Sequence, residues 1–158
     1  MNNEATATLR EHAPGEMVIE AFRKLMKIDS YLLEVDANER SISHRLGLHL
    51  QSFFPDWDVD CEYNRDGVEP KRIGYLDLHP DGAEDTEART VFPDIIVHKR
   101  DSQTNYLVIE IKKSSSIVDR AIDYQKLRGY KRDLGYQYAL FFEVGVREKS
   151  GLAVVEWV

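Results

Sequence analysis

The chain has 158 residues, of which 42% are hydrophobic and 31% are charged. This composition predicts one domain over 1–158, because the chain is too short for two full-sized domains and too apolar for a disordered polymer. No run of eighteen apolar residues is present, so we expect no contact with a membrane, and the polar first fifteen residues do not resemble a signal peptide. The single cysteine, Cys61, excludes an internal disulfide and a multi-thiolate zinc site, and it favours a reducing, cytoplasmic setting.

The net charge of −7 is unevenly distributed along the chain. Residues 98–133 carry nine Lys or Arg and five Asp or Glu, so this segment has a charge of +4 and the rest has −11. Such a balance disfavours a protein that coats nucleic acid through its bulk charge. The uneven distribution is compatible with a local basic surface on an otherwise acidic protein.

The first half of the chain contains two predicted helices. Apolar residues at spacings of three and four predict a helix over 16–34. A second helix is predicted from Asp36 to about residue 54, because Asp36-Ala37-Asn38-Glu39 matches a capping box in which Asp36 is the N-cap and Glu39 its partner. The segment 1–15 is expected to be a flexible tail, and the helix over 16–34 an addition to a core domain of residues 36–145.

Extended segments are predicted next, followed by one more helix. Residues 57–64 alternate between apolar and polar, and two apolar runs joined by a polar turn predict an antiparallel hairpin. The remaining elements are a second strand, an exposed acidic loop, a helix with Ile117 on its buried stripe and Gly135 as its stop, and two final strands. The predicted strands are 57–64, 72–78, 91–98, 106–111, 136–144 and 152–158. The acidic loop is 81–90, and the helix is 117–134. This order predicts an α/β fold with a central mixed β-sheet flanked by helices.

Charged residues interrupt the two apolar runs of the hairpin. Pro93-Asp94 lies in the first run, and Glu110-Ile111-Lys112 ends the second. Because side chains alternate across a strand, Glu110 and Lys112 are predicted to share one face and Ile111 to occupy the other. The hairpin can bring Asp94 beside them.

Two neighbouring carboxylates repel each other unless a cation lies between them. Oxygen ligands suit Mg²⁺, which keeps several of its waters and lowers the pKa of a bound water. A nearby lysine can orient that water or neutralise developing charge. The predicted chemistry is hydrolysis of a phosphodiester. The plainer interpretation is an ion-pair cluster that ends two strands.

The pattern Pro93-Asp94 … Glu110-Ile111-Lys112 resembles the motif of the PD-(D/E)xK nuclease superfamily, and the order of elements over about 36–145 resembles its restriction-endonuclease-like fold. The resemblance implies that Asp94, Glu110 and the backbone carbonyl of Ile111 hold Mg²⁺, for which Mn²⁺ can substitute. It implies that Lys112 activates water. It further makes Glu39 a candidate catalytic and metal-binding residue, although Glu39 is also the predicted capping-box partner.

The helix that follows the motif also carries candidate residues. In the superfamily this helix often bears a further Gln or Lys, and here Gln125 and Lys126 are available. Some branches have Gln-x-x-x-Tyr; the spacing from Gln125 to Tyr130 does not match it, whereas the spacing from Lys126 does. We predict that Lys126, Gln125 and Arg128 contact nucleic acid, with a solvated helix face as the alternative.

The predicted function is therefore a Mg²⁺-dependent nuclease, with DNA as the favoured substrate and a 5′-phosphate as the product that the resemblance implies. The alternative is a nuclease-like fold kept as a binding or regulatory module without turnover. The sequence leaves the substrate form, endonuclease or exonuclease action, and sequence preference open. DNA structure, a homodimer or a partner protein are three candidate sources of specificity. His44 and Arg45 follow Glu39 at helical spacing and are further candidates to line the site.

Overall fold

The computed structural model describes residues 1–63, 65–66, 69–70, 72–73, 89–90, 92–100 and 102–158. These residues form an α/β fold with a five-stranded mixed sheet and helices on both faces. The strands are β1 (Asp58–Cys61), β2 (Arg65–Asp66), β3 (Glu69–Pro70), β4 (Arg72–Ile73), β5 (Arg89–Thr90), β6 (Ile95–His98), β7 (Asn105–Lys113), β8 (Tyr138–Val144) and β9 (Ala153–Trp157). The helices are α1 (Asn3–Leu9), α2 (Gly15–Ile28), α3 (Ser30–Glu34), α4 (Glu39–Gln51) and α5 (Ala121–Leu134), and Arg147–Lys149 forms a 3-10 turn.

The central sheet has the strand order β1-β6-β7-β8-β9. The β6–β7 pair is antiparallel, which confirms the predicted hairpin, and β7 runs parallel to β8 through the connection that contains α5. The remaining pairs in the sheet, β1–β6 and β8–β9, are antiparallel. Two short ribbons, β2–β3 and β4–β5, lie outside this sheet.

Two hydrophobic cores lie on opposite faces of the sheet. Phe22 of α2 and Leu46 of α4 belong to the larger core, together with Ile109 and Ile111 of β7. Leu127 and Tyr130 of α5 belong to the smaller core, together with Ile96 and Val108. The alternation of side chains along β7 therefore directs Ile111 toward the α2 and α4 layer and directs its neighbours toward α5.

The N-terminal segment differs from the predicted flexible tail. Residues 3–9 form α1, in which Leu9 is fully buried. The indole nitrogen of Trp157 donates a hydrogen bond of 2.9 Å to the carbonyl of Thr8, and Ala153 N donates to Asn2 Oδ1 at 3.0 Å. The segment is ordered because it docks on β9, a tertiary contact that a polar local sequence does not reveal.

The predicted helix over 16–34 is broken into α2 and α3 at Asp29, whose carboxylate contacts Arg45 and His49. The next helix begins at Glu39 and not at Asp36. Asn38 is its N-cap, and Asn38 Oδ1 accepts a hydrogen bond of 2.8 Å from Ser41 N. The predicted capping box was therefore wrong, because Asn38 takes the capping position.

Several predicted boundaries also shift. In the structure β1 is shorter than the predicted strand over 57–64, and α5 begins at Ala121. Ile117 is fully exposed and not part of the buried stripe, whereas Gly135 ends the helix in the left-handed conformation (φ 66°), as predicted. Most of the predicted strand over 72–78 and of the predicted loop over 81–90 lies outside the described residues. None of the described helices has the length and apolarity that crossing a membrane requires.

Candidate functional site

The end of β7 extends past the start of its neighbour β6. The last paired residues are Ile95 and Ile109, so the edge of β7 that faces β6 is free from Ile111 onward. Ile111 N donates a hydrogen bond of 2.7 Å to Asp94 Oδ2, and Lys113 N donates one of 2.8 Å to Glu39 Oε2. Two carboxylates therefore replace the missing strand at this edge.

The backbone carbonyl of Ile111 shares this edge with the two carboxylates. In an extended strand, the N–H and C=O of one residue point to the same side, and the side alternates from residue to residue. Ser114 N, one residue beyond Lys113, accordingly bonds to Val144 on the β8 side. The Ile111 carbonyl thus points away from β8, between the N–H groups that bind Asp94 and Glu39.

Glu110 lies on the α5 face of the sheet and is 1% exposed. Its Oε2 accepts a hydrogen bond of 2.9 Å from Lys126 Nζ, and its Oε1 accepts one of 3.0 Å from the Tyr130 hydroxyl. Lys126 and Tyr130 are four residues apart on α5, which places both on the helix face that covers β7. The spacing singled out in the sequence therefore corresponds to two contacts on a single carboxylate.

Lys112 lies on the same face as Glu110, as the alternation along β7 predicts. Its Nζ is 2.9 Å from Asp123 Oδ2 of α5, in an ion pair that is more than nine-tenths buried on both sides. The angles of this contact do not make it a directed hydrogen bond, so the Asp123 oxygen has no hydrogen-bond partner among the described residues. Asp123 is a member of the site that sequence reasoning missed; an acid on an otherwise apolar helix stripe was the signal.

Burial and nearby carboxylates favour the neutral forms of Asp94 and Glu110. Burial raises the pKa of Asp94 to about 6, although the hydrogen bond from Ile111 N opposes the shift. Burial, together with the charge of Asp94, raises the pKa of Glu110 to about 8. Burial alone would lower the pKa of Lys126, but the charges of Glu110 and Asp94 raise it above its usual value.

We refer to six residues at this end of the sheet as the carboxylate cluster: Glu39, Asp94, Glu110, Lys112, Asp123 and Lys126. Each carboxyl group in it affects, or is affected by, the charge of Asp94 or Lys126. Four carboxyl groups and two ammonium groups leave a formal charge of −2 when all are ionised. Such an excess of negative charge among buried and half-buried groups would favour a divalent cation, which would in turn favour the ionised carboxylates.

The donor set fits a hard cation that keeps part of its water. Asp94, Glu110 and the Ile111 carbonyl supply oxygen ligands, which is the kind of donor that Mg²⁺ prefers. Within the described ranges, no group of three or more His, Cys, Asp or Glu side chains converges closely enough to hold a metal ion by itself. A metal at this site would therefore rely on two carboxylates, a main-chain carbonyl and water.

Backbone strain accompanies the site. Among the residues that the structure describes, three other than glycine adopt positive φ, namely Asp36 (56°), Glu62 (50°) and Arg147 (57°). Asp36 contacts Lys113 Nζ at 2.7 Å and an Arg147 guanidinium nitrogen at 3.0 Å, beside the edge of β7 that binds Glu39. Glu62 pairs with Arg40, the residue that follows Glu39. Strained residues commonly cluster where a site needs a defined geometry.

The other predicted site residues lie away from these contacts. Gln125 has a buried carboxamide oxygen with no hydrogen-bond partner among the described residues, and Arg128 is exposed on α5. Neither contributes to the contacts that join Lys126 to Glu110. His44 and Arg45 line a groove of about 510 Å³ with Asp29 on another side of α4 from Glu39.

Comparison with known proteins identified no relative of this chain. No family model, no curated protein and no solved structure matched the chain.

Proposed function

We propose that the protein is a Mg²⁺-dependent nuclease of the PD-(D/E)xK type with a restriction-endonuclease-like fold. Mn²⁺ can substitute for Mg²⁺, and DNA is the favoured substrate. The observation that carries the proposal is the pair of carboxyl groups formed by the half-buried Asp94 and the buried Glu110, beside an unpaired strand edge that presents the Ile111 carbonyl. A dedicated structural ion pair would not need an excess of negative charge at this position.

In this proposal Asp94, Glu110 and the Ile111 carbonyl hold the metal, and Glu39 holds the edge of β7 in place next to it. The bound metal polarises a phosphoryl oxygen and lowers the pKa of its water. The hydrogen bond from Ile111 N keeps Asp94 Oδ2 in position. The second oxygen of that carboxylate receives no hydrogen bond from the described residues and is available to a ligand.

The two lysines of the carboxylate cluster receive different roles. Lys112 is held at a buried position by Asp123, which suits a group that orients the attacking water. The Lys126 ammonium contacts Glu110 while the side chain is 26% exposed, so Lys126 lies at the border between the carboxylate cluster and solvent. We assign Lys126 to the neutralisation of charge on the phosphate.

The experiment is a cleavage assay with labelled DNA and RNA, single-stranded, duplex and branched, in Mg²⁺, Mn²⁺ or EDTA. Lys112→Met and Lys126→Met are compared with Lys131→Met, which removes an ammonium from the exposed face of the same helix. We expect about a hundredfold slower cleavage for each cluster variant, because groups of this kind contribute about 10²–10⁴-fold, and no change for Lys131→Met. Cleavage at the same rate by Lys112→Met, Lys126→Met and Lys131→Met would contradict the mechanism.

The alternative is a binding or regulatory module without turnover. One observation favours it: both oxygens of Glu110 already have protein partners, Lys126 and Tyr130. The same assay separates the two functions. Specific binding of a nucleic acid without metal-dependent cleavage of any substrate by the wild-type protein supports the alternative.

Two further proposals concern context. The free thiol of Cys61, whose pKa burial raises to about 11, is unreactive as a nucleophile and compatible with a reducing, cytoplasmic setting. DNA structure, a homodimer or a partner protein would supply specificity, since the carboxylate cluster itself contacts phosphate and not bases.

A further inference from the structure

Exposed apolar side chains lie close in the chain to members of the carboxylate cluster. Four large apolar side chains are exposed there: Phe92 (53%), Ile117 (100%), Val118 (52%) and Ile122 (36%). We refer to them as the apolar rim. Large apolar side chains exposed together commonly mark a surface that binds another molecule.

The chain places both parts of the rim close to members of the carboxylate cluster. Antiparallel pairing ends at Ile95 and Ile109, so Phe92 lies three residues before the first paired residue of β6. Phe92 is also only two residues from Asp94, a chain distance of about 7 Å. The other three rim residues lie between the end of β7 and the first turn of α5, which also carries Asp123.

In the described part of the chain, several cations at this end of the sheet pair with protein carboxylates. Arg40 pairs with Glu62, Lys113 and Arg147 pair with Asp36, and Arg120 pairs with Glu143. Lys112 and Lys126 pair within the carboxylate cluster. A duplex is usually held by several cations along its phosphates, and these residues do not offer such a surface.

We propose that the apolar rim binds the unpaired bases that flank the scissile phosphate, and hence that the substrate is single-stranded or locally unpaired nucleic acid. This inference rests on the proposed function and specifies its substrate class. In an unpaired strand the bases are free to leave the phosphates and stack on apolar side chains, and Phe92 provides an aromatic face for one of them. In a duplex the bases are stacked on each other and cannot reach the rim.

The test measures binding separately from cleavage. Fluorescence anisotropy in EDTA compares a labelled single strand of about twelve nucleotides with the blunt duplex of the same sequence. We expect the wild-type protein to prefer the single strand, and Phe92→Ala to weaken that binding about tenfold, as loss of one stacked base predicts. Phe92→Tyr should restore it. Ile117→Ser should also weaken it.

Tyr31→Ala is the matched control, because Tyr31 is another exposed aromatic residue, 70% exposed, on α3 and outside the rim. Thermal unfolding checks that each variant remains folded. Tighter binding of the duplex, or equal losses for Phe92→Ala and Tyr31→Ala, would overturn the inference and leave the proposed nuclease activity untouched. Preference for the single strand that depends on Phe92, without cleavage of any substrate, would support the rim and refute the hydrolytic function.

Discussion

At the scale of single residues, Asp94 and Glu110 connect the candidate site to the pH dependence of stability. Their pKa values in the folded protein, about 6 and about 8, lie above the ordinary carboxyl values. A raised pKa means that the folded state binds protons more tightly than the unfolded state does. The stabilisation from these two carboxyl groups is therefore complete below about pH 4 and is lost as the pH rises through 6 and then 8.

Asp94→Asn should therefore stabilise the protein at neutral and higher pH. An Asn side-chain oxygen can still accept the hydrogen bond from Ile111 N, while the buried charge and its repulsion of Glu110 disappear. We expect a gain in the free energy of unfolding of roughly 1–3 kcal/mol at pH 8 and almost none at pH 4.5, from a shift of about two pKa units. Urea unfolding at both pH values measures it.

Glu148→Gln provides the control, because Glu148 is exposed in the 3-10 turn and should leave the pH dependence of unfolding unchanged. If Asp94→Asn changes the free energy of unfolding by the same amount at both pH values, the charge on the Asp94 carboxylate does not destabilise the folded protein. The interpretation of Asp94 as a charge held for a cation would then be wrong.

At the scale of elements, α1 shows that the N-terminal residues belong to the folded domain. Leu9→Ala should lower the free energy of unfolding by about 2–4 kcal/mol, because Leu9 is fully buried and its truncation leaves a cavity. Leu48→Ala on α4 makes the same truncation at a residue that is 52% exposed, and it should change stability by less than about 0.5 kcal/mol. Urea midpoints compare the two. Equal effects would mean that α1 does not dock on β9 in solution.

The elements also show which parts of the fold local sequence encodes. The alternation of Glu110, Ile111 and Lys112 was predicted correctly because it depends only on the pleat of one strand. The N-cap of α4 was not, because Asp36 and Asn38 are both good caps, and tertiary contacts with Lys113 and Arg147 hold Asp36 in another conformation.

In the candidate site, too, local sequence encodes some features and tertiary contacts determine the others. Asp94 and Glu110 were identifiable as charges within apolar runs, and charges in such runs need partners. The partners themselves were only partly visible: Lys126 and Tyr130 have the right spacing on α5, but the pairing of Lys112 with Asp123 depends on how α5 lies across β7. Contacts between elements far apart in the sequence were the part that local patterns did not contain.

At the scale of the whole molecule, the net charge of −7 and the paired cations limit how the proposed nuclease would bind nucleic acid. A phosphate can bind one of the paired arginines at the site end of the sheet only by replacing its carboxylate partner. A chain of this charge gains little from long-range attraction to DNA. Under the proposed function, binding would therefore depend on the carboxylate cluster, on a divalent cation that changes the charge of the cluster, and on apolar contacts.

The final prediction concerns the response of the whole fold to metal. A ligand that binds only the folded state raises the unfolding midpoint, by about 2.7 kcal/mol when its concentration is about a hundred times Kd. Binding requires Asp94 and Glu110 to lose their protons, so the stabilisation by Mg²⁺ or Mn²⁺ should be several degrees at pH 8.5 and nearly absent at pH 5.5. Differential scanning fluorimetry with and without EDTA measures the midpoints. Glu110→Gln should abolish the metal response at both pH values; a midpoint shift of wild-type size in that variant would place the metal elsewhere on the chain.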